Sequence, residues 1–149
     1  MTEIRFYHLQ KQSLDQALPQ ILGKALSVGH KILVKLPDSE TVERINQHLW
    51  VYRPDSFLPH GSKKDGNPEN QPIWLTESDE NANNADVLIT GNGSIPNEPE
   101  NYSLCCEMLD GHNDEHVQAA RDRWKTYKEK GFEVTYWKQS ETGAWEKKS

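Results

Sequence analysis

The stretch "KILVKLPDSETVERINQHLW", residues 31–50, decides the fold class. Its opening, KILVKL, has a continuous apolar centre, the pattern of a strand buried on both faces of a sheet. The remainder changes period. Val42, Ile45 and Leu49 recur at three- and four-residue spacing, and Asp38 or Ser39 can cap the helix that this spacing predicts. A doubly buried strand running into an amphipathic helix implies strand–helix–strand construction, with parallel pairing and a right-handed crossover.

The alternation continues on either side. Upstream, IRFYHL (4–9) reads as a short strand, and SLDQALPQILGKALSVGH (13–30) as a helix with Ser13 as N-cap and Gly29 as its stop. Leu14, Leu18, Ile21, Leu22, Ala25 and Leu26 recur at helical spacing, and Pro19 predicts a kink or a late helix start. Downstream, HLWVYRPDSFLPHG (48–61) gathers aromatics and two prolines where the chain must turn, and GSKKDGNPENQ (61–71) reads as a polar, mobile loop. PIWLT and DVLIT are strands around an Asn-rich turn, GNGSIPNEPEN is a loop, and YSLCCEML is a strand. NDEHVQAARDRWKTYKEKG is then a long helix and FEVTYWK a final strand. With no repeat or linker, residues 1–149 are expected to form one three-layer α/β domain around a parallel or mixed sheet flanked by helices.

Composition narrows the function. A net charge of -6 and a pI near 5.5 argue against a general nucleic-acid binder, because phosphate neutralisation needs a basic surface. The N-terminal residues lack the pattern of an export signal and no window approaches a membrane span, so a cytoplasmic protein with no membrane contact is expected. Cys105 and Cys106 are adjacent, which disfavours a disulfide between them and predicts free, partly buried thiols.

Three catalytic patterns are weak. ITGNGS offers Gly91 and Gly93 to an anion but runs into IPNEPE instead of a helix, so the helix-terminus contribution to phosphate binding is missing. HNDEH (112–116) matches the H-x-x-E-H pattern of zinc peptidases, with His112 and His116 four apart and Glu115 as base. In those peptidases a third ligand lies farther downstream than this sequence extends past His116, and Asn113, Asp114 and Glu115 suit a helix start equally well. His60 with Asp55 and Ser56 is ordinary turn chemistry. No catalytic residue, metal or cofactor is assigned, and a binding protein is the expectation. The rivals are a nucleotide- or metal-dependent enzyme and a direct binder of single-stranded DNA through the basic helix.

The long third helix carries the best-defined surface. At 100° per residue from Val117, Arg121 falls at about 40°, Trp124 at about 340° and Lys128 at about 20°, one stripe, while Ala120 and Tyr127 lie beside it and can face the sheet. Between Arg121 and Lys130 the positive residues Arg121, Arg123, Lys125, Lys128 and Lys130 outnumber Asp122 and Glu129. An arginine beside an aromatic and an apolar residue suits an acidic peptide ending in a large hydrophobe. A solvated amphipathic helix with basic residues near its C-terminus gives the same pattern.

FYHL at the start, LWVYRPDSFLPHG in the middle and AARDRWKTYKEKGFEVTYW near the end, in this order and spacing, resemble the chi subunit family of bacterial DNA polymerase III holoenzyme. The resemblance implies a Rossmann-like fold and a non-catalytic clamp-loader accessory protein acting in DNA replication. Its implied partners are the psi subunit and the acidic C-terminal tail of single-stranded DNA-binding protein, with DNA contacted only indirectly. Trp50 and Phe57, framed by Leu58 and Pro59, would then dock psi or a competing repair helicase. Core filling explains such an aromatic pair as well. On the third helix Arg121 would hold the tail's terminal carboxylate, Val117 and Trp124 would line the pocket for its last Phe, and Lys125 and Lys128 would attract the preceding acids. Some members carry a basic residue in place of Val117 and a Tyr in place of Trp124, so the pocket here should be more apolar, with one charge fewer.

Overall fold

The structure, a computed structural model, describes residues 2–9, 13–51, 60–62, 71–91, 93–139 and 145–148, and of Trp50 and Val51 the backbone alone. The elements are β1 (Glu3–Leu9), α1 (Leu14–Ser27), β2 (Ile32–Lys35), α2 (Ser39–Val51), β3 (Gly61–Ser62), β4 (Ile73–Thr76), β5 (Val87–Thr90), β6 (Leu104–Asp110), α3 (Asp114–Glu129), β7 (Glu133–Gln139) and β8 (Trp145–Lys147). A 3-10 turn at Pro99–Asn101 precedes β6. The strands form one sheet in the order β3-β4-β2-β5-β6-β1-β7-β8. Every pairing is parallel except β7 with β8.

Strand side chains alternate between two layers, as period-two geometry requires. On one face Tyr7, Ile32, Val34 and Ile89 pack with Leu18 and Leu22 of α1 and with Ile45 and Leu49 of α2. On the other, Phe6, Leu33, Leu88 and Leu109 pack with Ala120 and Tyr127 of α3. Ile32, Leu33 and Val34 are each no more than 1% exposed, which is the double burial that KILVKL predicts. The α/β expectation holds, with α1 and α2 covering one side of the sheet and α3 the other. Cys105 and Cys106 point into opposite layers and are free and buried.

The structure departs from the sequence reading in four places. First, α1 begins at Leu14 and passes through buried Pro19, so the late start does not occur. The Gln16 side chain holds this start by accepting from the Ser13 amide at 3.0 Å. An interior proline costs about 3 kcal/mol. Burying Leu14, Leu18 and Leu22 returns about 1.5–3 kcal/mol each, which outweighs it. Second, β1 and β2 are not neighbours, because β5 and β6 lie between them. Third, the first two residues of the expected loop at Gly61 form an edge strand, β3. Fourth, β7 is not the last strand, since β8 pairs with it. Among the described residues no helix is long and apolar enough to cross a membrane.

Candidate functional site

Register across β6, β1 and β7 builds the floor beneath α3. Phe6 lies opposite Glu107 on one side and Tyr136 on the other, and His8 lies opposite Leu109 and Lys138. The face is therefore apolar towards the strand starts, at Ile4, and increasingly polar towards the strand ends. Helix α3 starts at Asn113, whose side chain accepts from the His116 amide at 3.1 Å, and it seats Ala120 and Tyr127 on the sheet.

Between α3 and β7 lies a cleft of about 400 Å³, lined by Phe6, Leu109, Val117, Ala120, Arg121, Trp124, Tyr136, Lys138 and Lys148. Phe6 and Trp124 have ring centroids 5.8 Å apart, and Trp124 meets Tyr136 edge to face at 6.3 Å and 79°. Lys128 caps the outer face of Trp124, its Nζ 5.2 Å from the ring centroid. A shallower groove, lined by Gln118 and Lys125, shares Arg121, Trp124 and Tyr136 with the cleft. All five of the α3 residues singled out from the sequence thus converge on one surface.

The arginines of α3 divide. Arg121 is exposed at the cleft, whereas Arg123 turns inward and pairs with Glu107, itself 1% exposed, at 2.6 Å. This corrects the count of positive surface residues, because Arg123 belongs to the interior. Burial pushes the Glu107 carboxyl above its ordinary pKa, and Arg123 opposes that rise. The imidazole of His8 is hydrogen-bonded to the Tyr136 hydroxyl. Its pKa is held below the ordinary value, by burial first and then by Lys138 and Arg121.

Of the other residues singled out from the sequence, Gly91 and His60 serve the fold. A Cβ on Gly91 would approach Leu14 Cδ2 to 2.6 Å, and the Gly91 amide donates to the Lys35 carbonyl, so this glycine packs α1 and has no N–H to offer an anion. His60 is buried, with Nε2 3.2 Å from the Asn46 carbonyl, and ties the entry to β3 onto α2. Among the described residues no group of three or more His, Cys, Asp or Glu side chains is placed to hold a metal, the pair His112 and His116 included. Trp50 lies in the last turn of α2. Its side chain, like Phe57, Leu58 and Pro59 as a whole, lies outside the described residues.

The reading of α3 alone missed Phe6, Leu109, Tyr136, Lys138 and Lys148. Alternation in FEVTYWK puts Tyr136 and Lys138 on one face of their strand, but nothing local says which helix covers that face.

The model of the DNA polymerase III chi subunit family, HolC, matches residues 1–135. The chain belongs to the DNA polymerase III chi subunit family. It is similar to the probable DNA polymerase III subunit chi of Rickettsia prowazekii, 34% identical over 89 residues, which are 60% of this chain and 54% of that relative. It therefore spans about half the length of that protein. The DNA polymerase III subunit chi of Pseudomonas aeruginosa is 24% identical over 135 residues, 89% of this chain and 93% of the relative. That of Escherichia coli is 22% identical over 123 residues, 82% and 83% respectively. Membership of the chi family relates this chain to subunits of a bacterial DNA polymerase.

Proposed function

We propose that this chi-family chain is a non-catalytic, cytoplasmic, single-domain adaptor that joins the clamp loader, through psi, to the acidic C-terminal tail of single-stranded DNA-binding protein. The observation that carries the reading is the convergence of Val117, Arg121 and Trp124 on one apolar cleft with a basic rim, in a protein whose net charge is -6. Arg121 takes the tail's terminal carboxylate, Val117 and Trp124 receive its last aromatic side chain, and Lys125 and Lys128 attract the acids before it. The cleft's volume lies within the range of ordinary ligand pockets. Trp50, Phe57, Leu58 and Pro59 are the residues we assign to psi, or to a repair helicase that competes with it. A coated template presents many tails, so a weak contact gains from effective concentration and still releases as the template is consumed.

The test is a titration of the protein with a short acidic peptide ending in Pro-Phe, beside the same peptide lacking the Phe, at two salt concentrations. Saturable binding that needs the Phe and weakens with salt is expected. Arg121→Ala removes a charge-assisted hydrogen bond of about 1.5–3 kcal/mol, or about tenfold to a hundredfold in affinity. Failure of both peptides to bind sinks the tail-binding role. Binding of naked oligonucleotide with no peptide binding would favour direct DNA contact through α3 instead.

A further inference from the structure

The cleft has two basic walls, and only one of them belongs to α3. On β7, Val134 and Tyr136 pack on the α3 side, so Lys138 points the same way. The antiparallel register sets Glu146 of β8 opposite Lys138. Lys148, two residues further, reaches the same face, and its amide donates to the Tyr136 carbonyl at 2.7 Å. Lys138 and Lys148 both line the cleft, and among the described residues neither joins an ion pair. Their field is felt next door, since Lys138 helps to depress the pKa of His8.

The α3 lysines are placed less directly. Lys128 is drawn over the Trp124 ring, and Lys125 lines the adjoining groove without lining the cleft. We infer that the β7–β8 edge is the second half of the peptide site, with Lys138 and Lys148 holding the acidic residues that precede the terminal aromatic, so that the tail lies across the cleft from α3 to the sheet edge. This rests on the tail-binding reading above. The surface fits an acidic peptide because its floor is apolar and its two walls are cationic. Among the described residues of β7 and β8, Glu146 is the carboxylate on the Lys138 face, set against such a peptide, and neutralising it should tighten binding.

The experiment is calorimetric titration of the full chain with two peptides, the acidic one ending in Pro-Phe and the same peptide with its acids replaced by amides. Each is titrated into the wild type, Lys138→Ala/Lys148→Ala, Lys138→Arg/Lys148→Arg and Glu146→Gln. The alanine pair should weaken the acidic peptide about tenfold, the scale of two partly exposed charge contacts, and leave the amide peptide unchanged. The arginine pair should retain binding, and Glu146→Gln should tighten the acidic peptide by about threefold or less. If wild type and alanine pair bind the acidic peptide equally, or if the alanine pair loses both peptides alike, the second wall is overturned while the tail-binding reading stands. If the wild type binds neither peptide, both readings fall.

Discussion

Arg123 donates to Glu107 Oε1 from two nitrogens, Nη2 at 2.6 Å and Nε at 2.8 Å, while Arg121, two residues earlier on the same helix, lines an open cleft. Two residues are about 200° apart on a helix, so one arginine serves the interior and the other the surface. The chemistry differs accordingly. A buried carboxylate that loses its cation is left charged in an apolar layer, whereas an exposed arginine that is removed is replaced by water.

Arg123→Ala should therefore cost about 3–5 kcal/mol of stability, and Arg121→Ala less than about 0.5 kcal/mol. Urea unfolding at neutral pH measures both, and equal stabilities would remove the interior pair from the account. The sign of the pH dependence follows from burial, which raises the Glu107 pKa above its ordinary 4.5 and is opposed by Arg123. Without Arg123 that rise is larger, and the folded state binds a proton more readily than the unfolded one. The variant's deficit should then grow as pH increases upward from about 4.5 and shrink in acid.

Trp124 is held by Phe6 on the floor, Tyr136 across the cleft and Lys128 above. If it is the aromatic anchor of the peptide site, Trp124→Ala should weaken the acidic peptide by about 2 kcal/mol or more, the scale of an interface hot spot. Trp124→Tyr keeps a large ring in the same place and should stay within about fivefold of the wild type. The same peptide titration reads both, and a harmless Trp124→Ala would put the anchor elsewhere.

His8 reports on the cleft from below, through its hydrogen bond to Tyr136 and its position opposite Lys138. Its pKa should lie below 6.5 by NMR titration, should rise in Lys138→Ala, and should rise again when a peptide carboxylate reaches Arg121. Because the folded-state value is depressed, the unfolded chain binds more protons just below pH 6.5. Stability should fall as pH drops through that window and be fully restored above it. A His8 pKa that ignores both Lys138 and the peptide would separate this residue from the cleft.

What the sequence made legible and what it did not follow one physical line. Burial on both faces was readable in Ile32, Leu33 and Val34, because three consecutive apolar residues on a strand leave neither side polar. The stripe of Val117, Arg121 and Trp124 was readable because helical spacing is local. The floor was not, since Phe6, Glu107 and Tyr136 come together only through the register of three strands distant in the chain. Arg123 looked like a surface cation for the same reason, its partner lying in a strand with an otherwise apolar pattern. At two and three residues, β3 and β8 are too short to show any period.

Gly111, just after β6, gives a test of how the cleft is held from a distance. Its amide donates to the Leu9 carbonyl at 2.8 Å, and a Cβ there would come to 2.5 Å from that oxygen and crowd the His8 imidazole. Backbone cannot yield as a flexible side chain can, so Gly111→Ala should cost about 1–3 kcal/mol, as overpacking does. The push on His8 passes to Tyr136, a wall of the cleft, so peptide affinity should also drop although Gly111 does not line the cleft. Gly29→Ala is the control. Gly29 has φ of +87° and nothing within 4 Å of a Cβ, so its cost of about 1–2 kcal/mol is confined to the end of α1. Urea unfolding should show both losses, and titration should show weakened peptide binding in Gly111→Ala alone. Equal affinities in the two variants would mean that Tyr136 keeps its place without His8.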